Sequence, residues 1–71
     1  MFNDRLRDTR KLKNLKLQQM ADMLDISLRS YQRYEGGNRY PPYDTLIKIA
    51  DILDVSTDYL LCRTDNPLIN K

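Results

Sequence analysis

Residues 17–35 read LQQMADMLDISLRSYQRYE, and their spacing decides the fold. Met20, Ala21 and Leu24 fall on one face of a helix running from about Leu17 to Leu24. Asp25, Ile26 and Ser27 then interrupt the pattern. Ser27 is a good N-cap, because its hydroxyl can accept from a free backbone N–H of the next turn. A second helix therefore begins after it and runs to about Tyr34 or Glu35. Tyr31 and Tyr34, spaced i, i+3, share its inward face, and Gly36-Gly37 ends it. Ala21 is small where the two helices approach closely, and Ile26 is the one apolar residue of their connection.

Three more helices flank this pair. One runs from about Asp4 to Lys13, with Asn3 as its N-cap and Asn14 as a left-handed C′ residue; Phe2, Leu6, Thr9 and Lys13 trace its inward face weakly. After the turn-forming stretch GGNRYPP (residues 36–42), Leu46, Ile49, Ala50 and Leu53 form a 3.6-period stripe on a helix from Tyr43 to Leu53. Ser56 caps a short last helix through about Leu61, with Asp58 at N2 suiting the helix dipole. No β-hairpin signal, internal repeat or linker is evident. The fold class is all-α, with a domain over residues 1–61 and a polar tail over 62–71.

The bulk properties narrow the function. A chain of 71 residues buries only about 60 % of its unfolded surface, which leaves little room for a catalytic cleft. Residues 1–39 carry nine bases and five acids (+4), and residues 40–71 three bases and five acids (−2). The net +2 says little, but one basic half provides a face for a polyanion. There is no histidine and one cysteine, Cys62, so neither a zinc cluster nor an internal disulfide is available. The start lacks the apolar run of a signal peptide, and no stretch approaches the ~20 apolar residues of a membrane helix. These features predict a cytoplasmic protein that does not bind membranes. No nucleophile beside a base and no Gly-rich phosphate loop is visible, so neither an enzyme, a cofactor nor a small-molecule substrate is expected.

With Tyr31 and Tyr34 turned inward, Leu28, Arg29, Ser30, Gln32 and Arg33 are left over for the outside. Their chemistry suits base edges: arginine forks onto guanine O6 and N7, glutamine onto adenine, and leucine touches a thymine methyl. A capped helix presenting such a set, after a tight turn from a short partner helix, is a helix-turn-helix arrangement. Gln32 could instead bond only a neighbour or a phosphate. Tyr40 either packs on the loop prolines or donates to a phosphate.

The ordered set Arg5-Leu6-Arg7, Leu15, Met20-Ala21-Asp22-Met23-Leu24, Ile26-Ser27, Tyr31-Gln32-Arg33-Tyr34-Glu35, Gly37, Pro41, Thr45-Leu46, Lys48-Ile49-Ala50, Leu53 and Val55-Ser56 resembles the Cro/CI (XRE-type) helix-turn-helix family of phage repressors and bacterial regulators. The resemblance covers about residues 4–61. It implies a five-helix, lambda-repressor-like domain with a recognition helix at 28–35 that binds double-stranded operator DNA, usually as a dimer. Carried over by position, Leu28, Arg29 and Arg33 would reach bases, with Ser30 and Gln32 on bases or phosphates. Lys16 and Gln18, and Asn38, Arg39 and Tyr40 of the following turn, would approach phosphates. Arg10 and Glu35 would form a structural ion pair tying the first helix to the end of the third, with an Arg10 phosphate contact beside it. Three positions depart from the pattern. Lys16 replaces a Ser/Thr cap, Leu17 a phosphate-binding glutamine, and Asp25 the usual turn glycine at some backbone cost.

Leu12, Ile52, Leu60, Leu61, Leu68 and Ile69 exceed what one small core needs. They suggest a homodimer joined through the last helix and tail. Such a dimer would set two recognition helices about 34 Å apart and predict a near-palindromic operator. The competing reading is a protein-interaction module, an antitoxin or adaptor, that keeps the fold without the DNA function.

Overall fold

The structure, a computed structural model, describes residues 1–68. It contains α1 (Phe2–Leu12), α2 (Leu17–Leu24), α3 (Leu28–Gly36), α4 (Tyr43–Leu53) and α5 (Thr57–Leu60), with no strand among the described residues. None of the helices is long and apolar enough to cross a membrane.

α1 starts two residues before its predicted position, with Met1 rather than Asn3 at the cap. Its inward face is Phe2, Leu6, Thr9 and Arg10, whereas Lys13 is exposed. The rotation follows from Arg10, which points into the protein because a partner awaits it there. Leu6, Met20, Tyr31, Ile49, Leu53 and Leu60 are fully buried, so every helix contributes to one core. Leu60, expected at a dimer contact, is thus a core residue, and Ile52 is half-buried against the same cluster. A four-residue helix is too short for periodicity to say which leucine faces in. Ile69 lies outside the described residues.

Most helix ends share one construction. Asn14, Asp25, Gly37 and Asp54 take left-handed φ of 58°, 56°, 78° and 56°. The residue after each donates its N–H back to a carbonyl five residues earlier: Leu15 to Arg10 (3.2 Å), Ile26 to Ala21 (3.0 Å), Asn38 to Arg33 (3.0 Å) and Val55 to Ala50 (3.0 Å). This is the Schellman pattern, which satisfies carbonyls that a helix end would otherwise orphan. Leu15, Ile26 and Val55 then carry their apolar side chains onto the core. The tetrapeptides Leu24-Asp25-Ile26-Ser27 and Leu53-Asp54-Val55-Ser56 make the same turn, each finishing in a serine whose Oγ accepts from the N–H three residues on (3.1 and 3.0 Å). The two tetrapeptides are a short repeat in the sequence itself, against the expectation of none. Because an L-residue costs roughly 1–2 kcal/mol in the left-handed region and glycine pays part of that back in entropy, Asp25→Gly should raise stability by about 0.5–1 kcal/mol. Urea denaturation of the two proteins measures it.

The segment after α5 is not a free tail. The guanidinium of Arg5 donates to the carbonyls of Tyr59 (3.0 Å) and Thr64 (2.8 Å), reaches Asp65 Oδ1 at 3.3 Å, and lies over the Tyr59 ring at 4.4 Å from its centroid. The Ser56 N–H also donates to the Pro67 carbonyl (2.9 Å). Residues 62–67 are thereby fastened to α1 and α5.

Candidate nucleic-acid interface

α3 presents two unlike faces. Tyr31, Tyr34 and Glu35 are buried, and the two rings meet edge to face with centroids 6.3 Å apart. Arg29, Gln32 and Arg33 are exposed, Leu28 and Ser30 half-exposed. Positions 29, 32 and 33 lie within one turn of each other, so their side chains project together. Among the described residues none of the three forms a side-chain hydrogen bond or ion pair. The Ser30 hydroxyl, by contrast, accepts from the Ser27 hydroxyl at 3.0 Å, and Ser27 holds the first turn of the helix. No residue of the fastened segment 62–67 bonds to α3; its bonds to the rest of the chain go to Arg5 and to residues 56–60.

Around α3 the other candidates divide. Lys16 sits exposed at the N-cap of α2 in extended conformation. It has no acceptor to close the cap, and only the reciprocal half forms, with Gln19 Oε1 accepting from the Lys16 N–H at 2.8 Å. Gln18 is exposed but its amide donates to Asp22 Oδ1 at 2.9 Å. Asn38, Arg39 and Tyr40 are exposed in the turn behind Gly37. The Tyr40 ring packs against Phe2 with centroids 5.9 Å apart, and the side chain remains largely exposed. Lys16 and Arg39 have no ion-pair partner among the described residues.

Arg10 is corrected as a phosphate contact. It is 8 % exposed, and its guanidinium is committed inside: Nε to Glu35 Oε2 at 2.6 Å, Nη2 to Glu35 Oε1 at 3.1 Å and Nη1 to the Leu15 carbonyl at 2.8 Å. The paired bonds fix two parallel groups in one geometry. Bonding to Glu35 outweighs desolvation and pushes the arginine still further above its usual proton affinity. The pair joins α1 to the last turn of α3 and so sets the angle at which α3 stands.

Beside it the Tyr31 hydroxyl is buried without a hydrogen-bond partner. Burial first, and the nearby Glu35 carboxylate second, push its ionisation far above the ordinary tyrosine value. The unfolded chain releases this proton from about pH 10 upward while the folded one retains it. The sign is therefore fixed: stability is whole below pH 10 and falls above it, by up to about 1.4 kcal/mol per pH unit. Tyr31→Phe should flatten that part of the stability–pH curve, read by urea denaturation between neutral and alkaline pH.

Nothing in the sequence marks Arg5 as a binding group, since backbone carbonyls 54 and 59 residues away leave no trace around it.

Comparison with known proteins identifies the domain family. A family model described as a helix-turn-helix domain matches residues 3–65. The chain is 54 % identical over 66 residues to the uncharacterized HTH-type transcriptional regulator YqaE of Bacillus subtilis (strain 168), covering 93 % of this chain and 57 % of that protein. It is 47 % identical over 62 residues to the cryptic phage CTXphi transcriptional repressor RstR of Vibrio cholerae serotype O1, covering 87 % of this chain and 55 % of RstR. The chain thus spans somewhat over half the length of these relatives. Among solved structures it is similar to the biofilm master regulator SinR in complex with DNA, with a TM-score of 0.78 and 27 % identity over 86 % of this chain and 98 % of that one.

Proposed function

Since the chain belongs to the helix-turn-helix domain family of the Cro/CI type, we propose that it binds a specific double-stranded DNA site with α3 in the major groove, as a transcriptional regulator that represses. The observation that carries this reading is the face of Arg29, Gln32 and Arg33: exposed, unpartnered among the described residues, and carried on a helix whose other face is locked into the core. Groups left without partners in the free protein are the ones available to base edges. In this reading Arg29 and Arg33 read bases, Leu28 offers an apolar contact, Gln32 reads a base or a phosphate, and Ser30 contributes through its hydroxyl. Lys16, Gln18, Asn38, Arg39 and Tyr40 approach the phosphates.

The reading includes a cytoplasmic homodimer on a near-palindromic site. Leu12, Leu61 and Leu68 are exposed, and Leu12 borders a groove of about 180 Å³ shared with Thr9, Lys13, Val55, Tyr59 and Pro67. A second copy over this apolar patch would give the two-fold symmetry that pairs half-sites one DNA turn apart.

Selection of bound sequences from a random DNA pool tests site, symmetry and spacing together. A recovered pool without any enriched motif overturns specific recognition; an enriched single half-site overturns the dimer alone. Lys16→Ala should weaken binding to all sequences about equally and lower the slope of log affinity against log salt by roughly one, measured by fluorescence anisotropy across a salt series.

A further inference from the structure

α4 carries a second uncommitted surface. Tyr43 is 80 % exposed and Ile47, one turn on, is 48 % exposed; at i, i+4 they share a face. Ile47 leads into a shallow groove of about 180 Å³ between α4 and the start of α5, lined by Ala50 and Val55 from the edge of the core and by Asp51 and Asp58. Both aspartates are exposed, and neither has an ion-pair partner among the described residues. Lys48, three residues before Asp51, does not close onto it. The groove lies in the acidic half of the chain, on helices other than those that form the proposed DNA face.

The geometry points to a docking groove for a segment of another protein that carries an apolar side chain beside Lys or Arg. Charge complementarity selects this occupant. An apolar anchor fills the space over Ile47, Ala50 and Val55, and flanking cations meet Asp51 and Asp58. A second copy laid on the groove would instead bring two surfaces that each carry these uncompensated aspartates together, and like charge across an interface costs affinity. Nucleic acid is turned away by the same carboxylates. The surface is small, so the contact belongs to the weak, transient class. The inference does not rest on the DNA reading.

The test is a titration followed by amide chemical shifts, using a short synthetic peptide of alternating lysine and leucine and its glutamate–leucine counterpart. The lysine peptide should move the amides of Ile47, Asp51 and residues 55–58, and the glutamate peptide should not. Asp51→Asn with Asp58→Asn should weaken binding by about fivefold at low salt, as loss of two exposed charge pairs allows. The same variant should bind the selected DNA as well as the parent does, which keeps failure of the groove distinct from failure of the DNA reading. Equal binding of both peptides overturns the proposal. So do lysine-peptide shifts of the same size at Asp4, Asp8 and Asp22, and groove shifts produced by raising the protein concentration alone.

Discussion

Glu35→Ala should cost about 3–5 kcal/mol of folding stability, a large share of the roughly 5–10 kcal/mol on which a domain of this size stands. The expectation follows from what the substitution leaves behind. Arg10 would stay 8 % exposed with a permanent charge and only the Leu15 carbonyl as partner. Removing one member of a buried pair strands the other, whereas replacing both with apolar groups of similar volume is often neutral. Arg10→Met combined with Glu35→Leu should therefore recover most of the loss. Thermal and urea denaturation by circular dichroism measure both. A single-variant loss under about 1 kcal/mol would mean that the pair does not hold α1 to α3. The double variant, if folded, also separates stability from orientation. It removes no net charge, so weaker DNA binding would report a changed stance of α3.

Arg29→Ala should cost about 1–3 kcal/mol at the selected DNA site and relax its preference at one base position. Arg29 is exposed and forms no side-chain hydrogen bond or ion pair among the described residues, so its removal leaves the fold alone and the whole loss falls on recognition. A guanidinium reading guanine loses its two bonds only where guanine is present. The loss on random DNA should be smaller and confined to the salt-dependent part. Equal losses on selected and random DNA would reduce Arg29 to a phosphate contact. Competition assays with both DNAs at one salt concentration decide between them.

Much of this molecule is legible along the chain because its helices are bounded by residues with strong local preferences. α2 and α4 begin and end where periodicity places them, and Asp25, Ser27, Gly37 and Ser56 each act on their own neighbours at the ends of α2, α3 and α5. What escapes is what depends on distant partners. Arg10 faces inward rather than Lys13 because Glu35, 25 residues on, meets it; the resemblance supplied that pair, and helical periodicity alone did not. Met1 lacks any capping signature, so the first turn of α1 was missed. The candidate DNA face is legible by subtraction, from the tyrosines that turn away from it, while the half-burial of Leu28 and the bonding of Ser30 to Ser27 required coordinates.

The fastening of residues 62–67 by Arg5 bears on the order in which the molecule assembles. Its bonds close a loop of nearly the whole chain, whereas the helix-end turns close within five residues. Short-range closures come early and cheaply, and a long one is worth its entropy only after the helices beneath it have docked. The strap should accordingly settle last during folding. In the native protein its amides should trade hydrogen for deuterium through a small local opening while those of α2 and α3 wait for global unfolding.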